Sequence, residues 1–215
     1  MRLYALLTEQ HCRRPWQETA ELLLAGGADV IQLREKDLLG AELLARARIL
    51  RAMTERAGAL LIINDRPDVA LLAEADGVHL GHEDLPPEEV RKLIGPDLLI
   101  GWSTHSAEQA ARVAELPVDY VGVGPVAATA TKGYTEGMGP ELVRAVCAVV
   151  RIPTVAIGGI TPHNAASVVE AGATAVAACQ VLCGSEDVEA AARELRSVVA
   201  RAAASRRKEP NGRDA

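Results

Sequence analysis

The sequence predicts an α/β fold, a single-domain (β/α)8 TIM barrel. Three observations carry that expectation. Short apolar runs alternate with amphipathic, helix-forming segments along the chain, as in parallel strands joined by crossover helices. Eight such pairs are present, and eight βα units most simply close on themselves. The 215 residues are 49% hydrophobic but only 2% aromatic, with no Phe. Aliphatic side chains must therefore fill the core, which suits strands covered on both faces. An open doubly wound sheet is the alternative arrangement of the same units.

The elements follow in order. Strands are expected at Leu3–Leu7, Val30–Leu33, Leu60–Ile63, Gly77–Leu80, Leu98–Trp102, Tyr120–Val123, Thr154–Ile157 and Ala175–Ala178, each apolar and bounded by Gly, Pro or Asp. The first helix spans Trp16–Ala25 and stops at Gly26-Gly27. The second spans Ala41–Ala57, with Leu43, Leu44, Ala47 and Leu50 at helical spacing, and ends before Gly58. Pro67 starts a third, Pro86-Pro87 a fourth, and Ser106 caps a fifth over Ala107–Leu116. Gly139-Pro140 opens the sixth, Thr161-Pro162 the seventh, and the last covers Asp187–Ala204. Residues 1–205 are expected to form the single TIM-barrel domain. Residues 206–215 read as a polar, disordered tail.

Charge and cysteine usage narrow the function. The net charge is -6, and no basic stripe runs along a helix, which argues against nucleic acid as a partner. No stretch has the length of a membrane span, and no secretory signal opens the chain. Cys12, Cys147, Cys179 and Cys183 lack zinc-ligand spacing, so they read as reduced thiols of a cytoplasmic protein, with Cys179 and Cys183 as small core residues. A homo-oligomer is left open.

Polar residues gather where strand patterns stop, the rim where barrel enzymes carry their sites. Gln32, Arg34 and Lys36 share one strand face by two-residue alternation. Arg grips phosphate oxygens with two parallel bonds and Lys acts as a point charge; the alternative is surface pairing with Glu35 and Asp37. Asn64 and Asp65 end the third strand, and Asp84 follows the fourth. Two carboxylates with substrate phosphate and water make a typical magnesium arrangement, although both aspartates also stand where they can cap the next helix. Ser103, Thr104 and His105 follow the fifth strand. Thr129, Thr131 and Lys132 lie on the longest connection, Ala127–Gly137, which is long enough to close over a ligand. Gly158-Gly159 before Thr161-Pro162 lets a phosphate approach backbone amides. Ser103 with His105 lacks an orienting third group and a nucleophile-elbow glycine pattern, which disfavours a hydrolase. His79 and His82 beside Asp84 are a weaker transition-metal reading, and Trp102 reads as core.

Six motifs in this order resemble the thiamine-phosphate synthase family: Gln32-Leu33-Arg34-Glu35-Lys36-Asp37, Ile63-Asn64-Asp65-Arg66, Val78 through Leu85, Gly101-Trp102-Ser103-Thr104-His105, Gly122-Val123-Gly124-Pro125 with Thr129-Ala130-Thr131-Lys132, and Ala156 through Ile160. The resemblance implies a (β/α)8 transferase of small-molecule substrates. It would join a hydroxymethylpyrimidine diphosphate to a hydroxyethylthiazole phosphate, releasing pyrophosphate, with Mg2+ as cofactor. It implies that Asp65 and Asp84 hold the metal. Arg34, Lys36, Asn64 and Lys132 would bind the diphosphate, and Gln32 and Ser103 would lie near the pyrimidine and the breaking bond. Thr129 and Thr131 would seat the thiazole, and Gly159 would bind its phosphate. Arg34, Ser103 and Lys132 are the catalytic candidates.

Two departures stand out. Cys179-Gln180 replaces a serine expected after the eighth strand, and Ala130 replaces a proline. The related thiazole tautomerase is the alternative, with His105 at its functional position, and a non-catalytic sensor of thiamine precursors is a third reading.

Overall fold

A computed structural model of the chain describes residues 1–128 and 135–208. Eight strands, β1 (Leu3–Leu7), β2 (Val30–Leu33), β3 (Leu60–Asn64), β4 (Gly77–Leu80), β5 (Leu99–Thr104), β6 (Tyr120–Val123), β7 (Thr154–Ala156) and β8 (Ala175–Ala178), pair in sequence order. All pairs are parallel, and β8 returns to β1 through Leu3–Val176, Tyr4–Ala177 and Ala5–Ala178. The barrel is closed, as the alternation of short apolar runs and amphipathic segments predicts; the open sheet is excluded.

Two cores follow from the strand pleat. One set of alternate residues fills the barrel: Tyr4, Leu6, Val30, Ile62, Tyr120, Val155, Ala175 and Ala177. The other, including Leu3, Leu7, Ile31, Leu33, Ile63, Ile100 and Val121, meets the surrounding helices. Trp102 belongs to this outer core, as expected.

The helices are α1 (Trp16–Ala25), α2 (Gly40–Ala57), α3 (Pro67–Leu72), α4 (Pro87–Ile94), α5 (Ala107–Ala111), α6 (Gly139–Val149), α7 (Ala165–Glu170), α8 (Gln180–Cys183) and α9 (Val188–Lys208). Gly58 ends α2 at φ 67°, a left-handed conformation that favours glycine. The Ser106 hydroxyl accepts the Gln109 amide and caps α5 as expected.

Several boundaries differ from the sequence reading. β5 runs on to Thr104, so Ser103 is a strand residue. The fifth helix tightens into a 3-10 turn at Arg112–Glu115. The seventh does not open at Thr161-Pro162. The Asn164 side chain accepts the Thr161 amide at 2.9 Å and donates to the Gly159 carbonyl at 2.8 Å, holding this stretch as a turn and delaying the helix to Ala165. Helix α8 was not anticipated. Helix α9 passes both the expected end at Ala204 and the start of the expected tail. Arg206 donates to the carbonyls of Val169 (2.7 Å) and Ala173 (3.3 Å) around the end of α7, which keeps it in the fold. Residues 209–215 lie outside the described residues. Among those described, no helix is long and apolar enough to cross a membrane.

The amino-terminal end of the barrel repeats one joint. The residue before each even strand reaches back to an amide at the start of the preceding odd strand. Asp29 accepts the Leu3 amide (3.0 Å), Asp76 the Leu61 amide (2.7 Å) and Asp119 the Ile100 amide (2.7 Å). The Thr174 hydroxyl accepts the Thr154 amide at 3.3 Å. Arg196, Arg51 and Arg91 pair with the three aspartates at 3.5, 2.8 and 2.7 Å.

Candidate active site

At the opposite, carboxyl-terminal end the cleft has two lobes of about 510 Å³ each, joined by a throat of about 40 Å³. The polar lobe lies over β2–β5 and is lined by Arg34, Lys36, Asn64, Asp65, Asp84 and Ser103. The second lobe lies over β6–β8 and is mainly apolar, bounded by Pro125, Ile157, Gly159, Cys179 and Gln180. His105 lines both lobes and the throat, with its Nδ1 2.6 Å from the Gly124 carbonyl oxygen.

The β2 alternation works as expected. Gln32 is 3% exposed and Arg34 6% exposed, both inside the rim. Glu35 faces the other way, accepts the Glu9 amide at 2.7 Å and lies 3.7 Å from Arg46. Surface pairing of Arg34 with Glu35 is therefore not what the fold adopts. The Arg34 backbone is fixed by its own amide on the Leu7 carbonyl and by the Thr8 hydroxyl on its carbonyl. Lys36 reaches out of the loop to within 3.9 Å of Asp65.

Asp65 sits at φ 61°, uncommon for a residue other than glycine and tolerated best by Asp and Asn. Its amide donates to the His79 carbonyl at 2.9 Å, so β4 holds the strained residue in place. Burial pushes the Asp65 carboxyl up to about pH 6, and the adjoining Asp84 carboxyl adds to the rise; Lys36 and Asn64 oppose it. Asp84 accepts the Gly81 amide at 2.7 Å within its own loop rather than capping α4, which starts at Pro87 after the N-cap Pro86. No side-chain bond caps α3 either. The capping alternative for both aspartates is thus not realised.

Two carboxylates in contact, one resisting ionisation, suit a hard divalent cation that would relieve their repulsion. Among the described residues, no group of three or more His, Cys, Asp or Glu side chains forms a metal cage. The donor set therefore fits an ion completed by substrate oxygens and water. His82 packs edge-on against Trp102, with ring centroids 4.9 Å apart, and His79 turns into the barrel. The transition-metal reading gains no geometry.

Ser103 has a partner that sequence reasoning missed. Its Oγ is 3.0 Å from His79 Nε2, not from His105. His79 Nδ1 is 3.1 Å from Tyr120 Oη, Tyr120 Oη is 3.0 Å from Tyr4 Oη, and Gln32 Nε2 donates to Tyr4 Oη at 2.6 Å. A buried chain of side chains thus spans the barrel beneath the cleft. Strand alternation was the available signal: Tyr4, Gln32, His79, Ser103 and Tyr120 all occupy inward positions. Gly101 makes the room, because a Cβ there would run into the Tyr120 ring and His79 Nδ1.

Gly158 and Gly159 hold φ 91° and 63°. A Cβ on Gly159 would lie 2.6 Å from the Ala128 carbonyl oxygen, so this turn needs glycine to pass beneath the β6 loop. Gln180 is exposed on the second lobe, and Cys179 is buried beside it. Thr129, Thr131 and Lys132 lie outside the described residues.

A closed eightfold barrel with a two-lobed, anion-receiving cleft at its carboxyl rim defines a class: (β/α)8 enzymes that act on phosphorylated small molecules. A family model described as thiamine monophosphate synthase matches residues 3–182, and the chain belongs to that family. The thiamine-phosphate synthase of Moorella thermoacetica is 48% identical over 190 residues, covering 88% of this chain and 90% of that protein. The one from Methanoculleus marisnigri is 48% identical over 204 residues, covering 94% and 97%. The solved thiamine phosphate pyrophosphorylase of Pyrococcus furiosus superposes with a TM-score of 0.87 at 37% identity, covering 94% of this chain and 96% of that one. A 3-hexulose-6-phosphate synthase shares the fold alone, with a TM-score of 0.64 at 18% identity.

Proposed function

We propose that this protein is a thiamine-phosphate synthase, a transferase that joins 4-amino-2-methyl-5-hydroxymethylpyrimidine diphosphate to hydroxyethylthiazole phosphate and releases pyrophosphate. The observation that carries the reading is the two-lobed cleft: a lobe of carboxylates and cations opens through a narrow throat onto an apolar lobe floored by a glycine turn. One anion-rich substrate and one ring-bearing phosphate fit those two environments.

In this reading the diphosphate lies in the polar lobe. Arg34, rigid and nearly buried, grips its oxygens, while Lys36 and Asn64 neutralise and bond its outer face. Asp65 and Asp84 would hold Mg2+, which would offset the charge that builds on the departing diphosphate. Gln32 and Ser103 line the throat where the pyrimidine C–O bond breaks. Fixed donors aimed at a developing charge lower its barrier without reorganising. The thiazole enters from the apolar lobe, its phosphate on the Gly159 turn and its ring nitrogen toward the pyrimidine carbon. Gln180 stands where it can donate to that phosphate. By resemblance Lys132 would bind the diphosphate, and Thr129 and Thr131 would seat the thiazole.

Incubating the pure protein with both precursors, with and without magnesium, and following products by mass spectrometry tests this. Metal-dependent thiamine phosphate is expected. Isomerisation of the thiazole alone would assign the tautomerase role to His105, at the junction of the lobes. Tight binding without turnover would make the protein a sensor.

A further inference from the structure

We propose that His79 is a positioning residue: a one-way hydrogen-bond chain from Gln32 fixes its tautomer and turns the Ser103 hydroxyl proton out toward the polar lobe. The inference rests on the reading of Ser103 as a group that faces the substrate.

The direction of the chain follows from counting protons. Burial raises the pKa of both Tyr4 and Tyr120 well above the usual phenol range, so each keeps one hydrogen to donate. The Gln32 amide nitrogen can only donate, and it uses a lone pair of Tyr4 Oη at 2.6 Å. The Tyr4 hydrogen then points to Tyr120 Oη, 3.0 Å away. The Tyr120 hydrogen points on to His79 Nδ1 at 3.1 Å. That nitrogen must accept, so the neutral ring carries its proton on Nε2. Nε2–H in turn donates to Ser103 Oγ at 3.0 Å. The hydroxyl hydrogen of Ser103 is left free of His79, and Ser103 lines the polar lobe.

The reverse order fails at its far end. If Ser103 donated to Nε2, the hydrogens would run back through Nδ1 and Tyr120 until Tyr4 Oη accepted from both Tyr120 and Gln32. The hydroxyl hydrogen of the buried Tyr4 would then be left without a partner in the chain, and an unpaired buried donor is costly. The reversed chain would also make Ser103 a pure acceptor toward the cleft. It would then present lone pairs to a departing diphosphate, where a donor is needed. The glycines around the ring keep the chain in place: Gly101 leaves space for both rings, and a Cβ on Gly122 would lie 3.2 Å from His79 Cε1.

The test has a spectroscopic and a kinetic arm. In protein labelled with 15N at histidine, the His79 ring is expected to show a protonated Nε2 and an unprotonated Nδ1 at neutral pH. Gln32→Glu places an acceptor opposite Tyr4 and is expected to reverse the tautomer. An Nδ1–H tautomer or an imidazolium in the unsubstituted protein overturns the inference.

In the kinetic arm, a Gln side chain sets its amide nitrogen near the Nε2 position, whereas Asn sets it near Nδ1. His79→Asn is expected to lower kcat by about 10- to 100-fold, in the range usual for a supporting partner. His79→Gln is expected to recover most of that, with KM for the pyrimidine diphosphate little changed in either. Near-normal kcat in His79→Asn, or equal losses in both variants, overturns the positioning role. Absence of thiamine phosphate from the unsubstituted protein would instead sink the proposed function, and the tautomer measurement would still stand.

Discussion

The barrel carries aspartates at both ends, and they live under opposite conditions. At the amino-terminal end Asp29, Asp76 and Asp119 each accept a backbone amide and pair with an arginine. Burial opposes the ionisation of Asp29, but the Leu3 and Arg2 amides and the Arg196 guanidinium outweigh it and hold its carboxyl below the usual range. At the carboxyl-terminal end Asp65 is buried against a second carboxylate, and its pKa rises to about 6. The lower set is satisfied by the fold. In the upper set burial and the second carboxylate outweigh Lys36 and Asn64 at Asp65, which is the condition a metal-bridged anionic substrate would relieve. The same residue type thus reads as structural or functional according to whether the fold completes its electrostatics.

The largest expected effect divides the two sets. Asp65→Asn or Asp84→Asn should lower kcat/KM by about 100- to 1,000-fold, the range for losing one element of charge stabilisation at a reacting centre. Asn is the right probe at Asp65 because it tolerates a positive φ; Ala would mix strain with lost chemistry. Circular dichroism and thermal melting should show both variants folded and no less stable without metal. Normal rates in either variant would remove that carboxylate from the site.

Asp76→Ala should do the converse. It strips the Leu61 amide and Arg51 of their partner at 2.7 and 2.8 Å. Leaving a half-buried cation and an amide unpaired costs about 1–3 kcal/mol. Urea unfolding should report that loss, while the folded fraction keeps its kcat. A drop in kcat without loss of stability would mean that the two ends of the barrel are coupled.

Much of this division was legible in the sequence, but unevenly. The eight strands and the inward alternation of Gln32 and Arg34 follow from short-range pattern, and the structure realises both. The side-chain bonds that brace the amino-terminal end were not legible, because each reaches an amide 15 to 26 positions away. The links from His79 to Ser103 and Tyr120 also span β4, β5 and β6, and no local pattern reports a contact across a barrel. The start of α7 was misplaced for a different reason. Thr161-Pro162 is a sound start signal, but the Asn164 side chain competes locally for the backbone. The basic residues after Ser205 looked like a solvated end until Arg206 met carbonyls contributed by a distant segment.

A smaller effect concerns pH. A carboxyl raised to about 6 in the folded chain, against about 3.9 unfolded, favours the protonated form on folding. Its contribution to stability is fully present below the unfolded value and is lost as pH rises through about 6. Metal-free protein should therefore lose melting temperature relative to Asp65→Asn between about pH 4 and pH 6, with the two curves parallel above that window. Magnesium should close the gap at neutral pH. Parallel curves across the whole range would show that Asp65 titrates normally and that the upper carboxylates do not repel.

The smallest expected effect probes variation within the lower set. Three joints use a carboxylate backed by arginine; the fourth uses the Thr174 hydroxyl, which accepts the Thr154 amide at a long 3.3 Å. Thr174 is exposed at its end of the bond although Thr154 is buried, and a neutral hydrogen bond this long contributes about 0.5–1.5 kcal/mol. Thr174→Val should thus shift the urea midpoint only slightly, at the low end of that range. Thr174→Asp should recover or exceed the original stability if a carboxylate is the stronger brace at this position. A loss in Thr174→Val as large as that in Asp76→Ala would mean that the joints stabilise by shape rather than charge, and the contrast between the two ends of the barrel would then rest on the upper carboxylates alone.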